Sequence, residues 1–385
     1  MTIFRFTSIA SVLLTAGLSR AQLLEDIRAA NGSAEPPKQT AAEDPGNGSS
    51  EAARPEERAT EKSDARRARP GGRSDAIEDI APETATHTEV DPLAVEFGEL
   101  TAFRLRPDGS LLAGDGKSKE IRIIDANGQQ SGVLPLDFVP EALCLGEDGL
   151  IYCGGGGRLA VLDGAGKVLH AGQTPDDAET PLDQRRRGRS RPVRVSGIAV
   201  SDRDVFVAFG SGWSTGSKSK LYRLDLQLQN PVQLMEGLRG CCQRCDILFR
   251  DGVLYLAENA AHRVVLCDRT GAVLDRWGER QREGLEGFSA CCNPMNIAFD
   301  QAGFLYTAES GLGRVKRYTK DGQFLNLVGY VATERFQGGS GLAASCSNMT
   351  LAVTPDAQRI YVMDYRESKI RILHRKEEAD AVAEE

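Results

Sequence analysis

Cysteine residues cluster at the entrances to three short apolar runs in the second half of this sequence. "DILF" follows "GCCQRC", "NIAF" follows "CCNPM", and "TLAV" begins shortly after "SCSN". These segments lie about 50 residues apart along the chain. A feature that recurs at such a spacing indicates one position of a structural repeat.

Sulfur-bearing residues at repeated positions support three kinds of chemistry. Thiols from neighbouring repeats can join in disulfide bonds, which restrict the unfolded chain. Thiolates and thioethers together select soft metals such as copper, zinc or iron. Cysteine also occurs as a small, inert, buried residue. The chain has nine cysteines, an odd number, so at least one is free, bound to a metal or joined to another chain.

Around these cysteines the sequence repeats a unit of four short apolar runs. The clearest copy contains "NIAF", "FLYTAE", "RVKRYT" and "FLNLVG", which are separated by "DQAG", "SGLG" and "KDG". Four short strands with tight turns are typical of one blade of a β-propeller. Six copies predict an all-β, six-bladed β-propeller with four-stranded blades over residues 92–375.

The last copy has only three strands, so an N-terminal strand is expected to close the last blade. The run "LAVEFGEL", residues 93–100, directly precedes the first blade. We expect this run to supply the missing outer strand, because closure removes a free sheet edge.

The repeats resemble NHL repeats. The pattern is carried by "GVLYLAENAAHRVVLCDRTG" and "GFLYTAESGLGRVKRYTKDG", in blades four and five. The resemblance is weaker in blades six and one, weakest in blades two and three, and covers most of residues 99–375. It implies a six-bladed propeller but no single activity, because such proteins include protein- and RNA-binding scaffolds, lyases and hydrolases.

The architecture of that family also implies where the sulfur atoms meet. In it, the innermost strand of each blade begins beside the central axis, at what we call the top face. Aligned entries place Cys245, Met295 and Met349 at one equivalent position. The candidates for a metal site, or otherwise for disulfides between blades, are Cys241, Cys242, Cys245, Cys291, Cys292, Met295, Cys346 and Met349. Three other cysteines are predicted core residues: Cys144, Cys153 and Cys267.

The loop after the second strand of a blade opens on the same top face. The candidate binding residues there are Asp115, Glu258, Asn259, His262, Glu309 and Asp364. In NHL-like blades such an acid often bonds backbone amides of its own loop. The alternative is a ring of carboxylates that binds a cation or a basic ligand, or that hydrolyses a substrate through Glu309. His262 is more typical of a hydrogen-bonded loop residue than of a ligand.

No further motif identifies a catalytic residue or a certain cofactor. The chain lacks a "GxSxG" elbow and a phosphate-binding "GxxxxGK[ST]" loop, and it has only four histidines. Between blades two and three lies the basic segment "QRRRGRSRPVR". Its residues Arg185–Arg191 are predicted to bind an acidic polymer, with a solvated loop as the alternative.

The N-terminal region is typical of export. Residues 1–21 have a basic start, an apolar run and small residues, which predicts a secretory signal peptide. Residues 22–91 have almost no large apolar side chain and are predicted to be a disordered tether, while residues 376–385 form a charged tail. No other stretch approaches the roughly 20 apolar residues of a transmembrane helix.

Together these features predict an exported protein, periplasmic or extracellular, that binds or scaffolds a protein or small-molecule ligand at a cysteine-rich top face. The alternative is a metalloprotein in which Cys and Met hold copper, zinc or iron for a redox or hydrolytic role. A net charge of -8 argues against specific nucleic-acid binding.

Overall fold

A computed structural model describes residues 80–175, 193–210, 218–241, 244–281, 283–289, 292–333 and 349–377. The predicted signal peptide, most of the predicted tether and the basic segment Arg185–Arg191 lie outside the described residues. So do three of the candidate sulfur ligands, Cys242, Cys291 and Cys346.

Six antiparallel sheets of four strands each form a six-bladed β-propeller, as the sequence predicts. Blades 1 and 2 consist of β2 (Leu100–Leu105), β3 (Leu111–Asp115), β4 (Glu120–Ile124), β5 (Gln130–Pro135), β6 (Ala142–Leu145), β7 (Ile151–Gly155), β8 (Arg158–Leu162) and β9 (Val168–Gln173). Blades 3 and 4 consist of β10 (Arg194–Val200), β11 (Asp204–Gly210), β12 (Lys218–Asp225), β13 (Val232–Arg239), β14 (Asp246–Arg250), β15 (Val253–Glu258), β16 (Arg263–Cys267) and β17 (Val273–Trp277). Blades 5 and 6 consist of β18 (Asn296–Phe299), β19 (Leu305–Glu309), β20 (Arg314–Tyr318), β21 (Phe324–Tyr330), β22 (Leu351–Val353), β23 (Arg359–Asp364), β24 (Lys369–Arg375) and β1 (His87–Val90).

The turns between the third and fourth strands share one device, a side-chain oxygen that accepts backbone amides ahead of it. In the first four blades the acceptors are Asp125, Asp163, Asp225 and Asp268, which bond the amides two and four residues on at 2.8–3.0 Å. In blade 5 the hydroxyl of Thr319 accepts the amide four residues on at 3.0 Å. Short Asp and Thr side chains therefore fix these hairpins locally.

An N-terminal strand closes the last blade, as predicted, but it is a different run from the expected one. β1 pairs with β24, with His87 opposite Arg375 and Val90 opposite Ile372. The predicted run, residues 93–100, instead packs its apolar side chains into the core between blades 6 and 1. The prediction was wrong because it followed apolarity: this run is used to fill a core, whereas "HTEV" is a half-exposed outer strand.

Apolar side chains fill the spaces between neighbouring blades in six clusters, one for each pair. Leu112 and Phe206 are fully buried examples, and burial of such a side chain stabilises the fold by about 1.5–3 kcal/mol. The predicted core residues Cys153 and Cys267 lie in these clusters, and Cys144 is half-buried against one of them.

This architecture fits a binding or scaffold module, although a fold alone does not determine a function. Within the stretches that the structure covers, no helix is long and apolar enough to cross a lipid bilayer.

Candidate functional site

Each blade places one polar side chain at the start of its inner strand, beside the central axis. We call this set the axial polar ring: Thr101, Glu141, Ser196, Asp246, Asn296 and Thr350. Five hydrogen bonds of 2.5–3.0 Å run from the ring to the backbone of the next blade: Thr101 Oγ1 to the Pro140 carbonyl, the Val195 amide to Glu141 Oε2, Ser196 Oγ to the Cys245 carbonyl, the Ile297 amide to Asp246 Oδ2, and the Leu351 amide to Asn296 Oδ1. The ring therefore joins adjacent blades at the axis.

The cavity inside the ring is small. Its volume is about 20 Å³, which gives room for about one water molecule. Arg104 of blade 1 lies across it, with Nη2 3.8 Å from Oδ1 of Asp246 in blade 4. Arg104 and the ring therefore leave little free space at this level of the axis.

Asp246 is the acid at this constriction. Burial raises the pKa of its carboxyl to about 6, and the opposing influences are the Arg104 charge and the amides of Ile297 and Ile247. The folded protein therefore holds a proton at Asp246 at a pH where an exposed aspartate has released it.

At the top mouth, three of the predicted sulfur residues come together. Cys241, Cys292 and Met295 form one buried cluster, and Met295 also lines the axial cavity. Asn259 ties the cluster together, because its Oδ1 accepts the Cys241 amide at 2.7 Å and its Nδ2 lies 3.7 Å from Met295 Sδ. A sulfur-rich contact between blades 4 and 5 therefore exists at this mouth.

Two other predicted sulfur residues lie elsewhere. Cys245 belongs to the core between blades 3 and 4, and Met349 to the core between blades 5 and 6. Successive strand residues point to opposite sides, so the residues after them, Asp246 and Thr350, reach the axis instead. Burial is the main reason that the pKa of the Cys245 thiol is raised, so this thiol stays protonated near neutral pH.

The described residues contain no group of three or more His, Cys, Asp or Glu side chains that could hold a metal ion. No disulfide joins two cysteines within the same stretches.

The four predicted loop acids are buried, and each pairs with an arginine on the third strand of its own blade. The pairs are Asp115–Arg122 at 2.8 Å, Glu258–Arg263 at 2.5 Å, Glu309–Arg314 at 2.7 Å and Asp364–Arg371 at 2.9 Å. Asp115 also accepts the backbone amides of Gly98, Glu99 and Lys117 at 2.8–3.1 Å. These carboxylates are therefore engaged by groups of the fold, which for Glu258 include the Arg239 amide of blade 3 at 2.9 Å.

Glu309 has the most extensive of these interactions. Besides Arg314, it binds Lys316 Nζ at 2.8 Å, and neither the acid nor the lysine is exposed. Lys316 also donates to the carbonyls of Leu285 and Gly287 and lies over the Phe288 ring. Burial lowers the pKa of Lys316 to about 8, although Glu309 opposes this shift. The group holds the loop of residues 283–289 onto blade 5.

The remaining top-face candidate is His262. It follows the short 3-10 turn Asn259–Ala261 in the left-handed conformation, with φ of 57°, and is largely buried. This placement is that of a turn residue at the end of the loop.

The opposite mouth contains a cavity that the sequence reasoning missed. It has a volume of about 640 Å³ and is formed by the ends of the inner strands of blades 1, 2, 4, 5 and 6. We call it the lower funnel. Its main apolar walls are Leu105, Leu145, Leu248, Phe299 and Val353.

Two charged groups of the lower funnel are fixed by the fold. Arg250 donates to the carbonyls of Asp300 and Gln301 at 2.6 and 3.1 Å and lies over the Phe299 ring. The Asp300 carboxylate binds Arg317 at 3.3 Å. These groups shape the walls.

Two other arginines of the lower funnel are not fixed in this way. Arg104 lines both the axial cavity and the funnel, and its closest carboxylate is the one of Asp246 at 3.8 Å. The half-buried side chain of Arg106 makes no hydrogen bond or ion pair with the described residues. Both guanidinium groups therefore retain donors for a bound molecule.

A signal for this site was present in the sequence. Arg104 stands opposite Leu112 of the neighbouring strand, and the counterparts of Leu112 in the other blades are Tyr152, Phe206, Tyr255, Tyr306 and Tyr361. The residues equivalent to Arg104 in the other blades are Cys144, Ala199, Leu248, Ala298 and Ala352. A blade alignment extended to the end of the inner strand would have shown one arginine among small and apolar residues.

No protein-family model matches the chain, and no curated protein matches it in sequence. Many solved structures are similar to it, among them the following three. A protein of unknown function from Bacteroides thetaiotaomicron is 12% identical with a TM-score of 0.53, over 77% of this chain and 74% of that one. Regucalcin, a calcium-binding protein from Agrobacterium tumefaciens, is 16% identical with a TM-score of 0.49, over 76% and 93%.

The third is a streptogramin B lyase, 13% identical with a TM-score of 0.46, over 77% of this chain and 100% of that one. At these identities the likeness concerns the fold alone. The six-bladed architecture rests on the six sheets of the chain itself and does not determine an activity.

Proposed function

We propose that this protein is an exported, non-enzymatic binding module with NHL-like repeats, and that it holds its ligand in the lower funnel. The observation that carries the proposal is the funnel itself, about 640 Å³ in volume and lined by the inner strands of five blades. Small-molecule sites are typically concave, mostly apolar cavities of about 300–1,000 Å³ with a few polar groups.

The chemistry of the funnel favours binding over catalysis. Arg104, Arg106 and Arg250 supply most of its charge, and guanidinium groups do not exchange protons near neutral pH. The top face, where we first expected the ligand, has its acids engaged by arginines of their own blades. Binding of an acidic polymer by Arg185–Arg191 stays a separate prediction.

The test is binding of Nile red, a neutral apolar dye whose emission rises in apolar surroundings. We expect the wild type to bind it and Leu248→Glu, on the funnel wall, to weaken binding at least about tenfold. The matched control is Leu274→Glu, because Leu274 is 58% exposed on outer strand β17. No binding by the wild type, or equal loss in both variants, would refute the proposal.

A second candidate function is soft-metal binding at the top mouth. It is favoured by the buried cluster of Cys241, Cys292 and Met295, since thiolate and thioether ligands select copper, zinc or iron. Elemental analysis of protein purified without added metal, beside a thiol count, tests it. Stoichiometric metal that disappears in Cys292→Ser but not in Cys267→Ser supports this function, and metal-free protein excludes it.

A further inference from the structure

We propose that the ligand of the lower funnel is an organic carboxylate with an apolar body, and that Arg104 and Arg106 bind its carboxylate group. This inference rests on the proposed function and specifies its ligand class. In the funnel, Arg104 has its nearest carboxylate, that of Asp246, at 3.8 Å, and Arg106 forms no ion pair with the described residues.

Arg104 is the one of these two arginines that also lines the axial cavity. Its side chain is 17% exposed, and a partly buried cation without a close partner is costly. The 3.8 Å distance to Asp246 exceeds that of a hydrogen bond. Its other contact, to the Phe103 carbonyl, is long at 3.5 Å. An incoming anion therefore improves the bonding of this guanidinium.

Asp246 is poorly suited to neutralise Arg104 fully. Its Oδ2 already accepts the Ile297 amide at 3.0 Å, and burial shifts its pKa towards neutrality. The carboxyl group nearest to Arg104 therefore already accepts the hydrogen bond that joins blades 4 and 5.

Arg106 reinforces the same surface. It lies just after the end of β2, and like Arg104 it lines the funnel. A guanidinium group matches the planar geometry of a carboxylate, which it can bind through two parallel hydrogen bonds. The funnel therefore offers one anion-binding end.

The rest of the funnel determines the body of the ligand. Its walls come from five blades and include Leu105, Leu145, Leu248 and Phe299. The remaining acid of the funnel, Glu147, is exposed. The Asp246 and Glu147 carboxylates disfavour a multiply charged anion such as a phosphate monoester, so a monoanion with an alkyl or aryl body fits best.

The inference is tested with three eight-carbon probes that differ only at the head group, namely octanoate, octanol and octylamine. Each is titrated against protein-bound Nile red. We expect octanoate to displace the dye at least about tenfold more strongly than octanol, and octylamine to be weakest, because charge-assisted hydrogen bonds exceed neutral ones. The preference for octanoate is expected to decrease with added salt.

Variants locate the effect. Arg104→Met is expected to remove most of the preference for octanoate while Nile red still binds, and Arg106→Met is expected to weaken it less. Arg203→Met is the matched control, because Arg203 is exposed in the turn before β11.

The outcomes separate the two proposals. Wild-type protein that binds Nile red but prefers octanol, or treats octanoate and octanol alike, overturns the carboxylate inference and leaves the binding module intact. Protein that binds neither the dye nor any probe overturns both. Because this comparison uses the wild type alone, it stands even if a variant fails to fold.

Discussion

We call the loop acids Asp115, Glu258, Glu309 and Asp364, with their arginine partners, the top corners of the blades. The charged side chains of the top corners are paired closely within the fold, whereas two arginines of the lower funnel are not. At a top corner, Glu309 is bound by Arg314 at 2.7 Å and by Lys316 at 2.8 Å, all fully buried. In the lower funnel, Arg104 finds its nearest carboxylate at 3.8 Å. Charge that is paired inside the fold maintains the structure, whereas a cation left weakly bonded in an open cavity is available to a ligand. The difference indicates that the top corners are structural and that the lower funnel binds.

Blade 2 shows that the top corner is structural even where its acid is missing. Gly155 of blade 2 occupies the position that Glu309 has in blade 5. A Cβ atom at Gly155 would lie 1.8 Å from the Val139 carbonyl oxygen. The neighbouring Glu141 supplies the carboxylate instead, and accepts the amides of Gly156 and Val195 at 3.0 Å. Both corners therefore use a carboxylate to satisfy backbone or basic groups of the fold.

The largest expected effect is loss of the Glu309 carboxylate. Glu309→Gln leaves Arg314 and Lys316 buried without a counter-ion, and we expect it to lower the free energy of unfolding by about 3–5 kcal/mol. Urea denaturation followed by circular dichroism measures the change. Asp251→Asn is the control, because this acid pairs with Arg250 at 3.4 Å but is 88% exposed, and it should cost below about 1 kcal/mol. Equal losses would show that the corner is not a structural centre.

The second expected effect is a pH dependence at the axis, between the two regions. The pKa of Asp246 is raised from 3.8 to about 6, so the folded state binds this proton more tightly than the unfolded chain does. Stability from this group is therefore present below pH 4 and is lost as the pH rises through 6, by about 3 kcal/mol in all. Urea denaturation from pH 4 to 7 should show this fall in the wild type relative to Asp246→Asn. If the free energies of unfolding of the two proteins changed in parallel with pH, the pKa of Asp246 would not be raised in the folded state.

The sequence predicted the features that recur from blade to blade better than the features that occur only once, such as the closing strand. Turn segments such as "DQAG" and "KDG" marked the hairpins in the sequence. The structure adds that Asp125 and its counterparts hold one turn in each of the first four blades. The closing strand β1 is short, polar and far from its partner in the chain, so no local pattern marked it. The conspicuous cysteines drew attention to the top mouth, although strand alternation sends Cys245 into a core and Asp246 to the axis.

The lower funnel escaped prediction for a related reason. Inner strands are buried on both sides, so their sequences lack the polar alternation that would show which residues face the axis. Arg104 is visible as unusual only when its counterparts in the other blades are known, and these were fixed by the observed pairing with β3 and its equivalents.

The third expected effect tests the blade 2 corner. Gly155→Ala places a methyl group against the Val139 carbonyl oxygen, and we expect a loss of about 1–3 kcal/mol, as for other overpacked sites. Thermal unfolding of this variant is compared with that of Gly164→Ala, whose added methyl would meet nothing within 4 Å. A stable Gly155→Ala protein would mean that this corner tolerates side chains and is less constrained than that of blade 5.

The smallest expected effect on stability is at Arg104, and it separates the two regions most directly. Arg104→Met removes a weakly bonded cation that lowers the pKa of Asp246, and Asp246 can then take up a proton. We therefore expect the free energy of unfolding to change by less than about 1 kcal/mol. The same substitution at the top corner, Arg314→Met, leaves the fully buried Glu309 with one cation fewer and should cost several times more. Urea denaturation at pH 7 compares the two arginine-to-methionine variants. If Arg104→Met lowers the free energy of unfolding as much as Arg314→Met does, Arg104 stabilises the fold and is not a group available to bind a ligand.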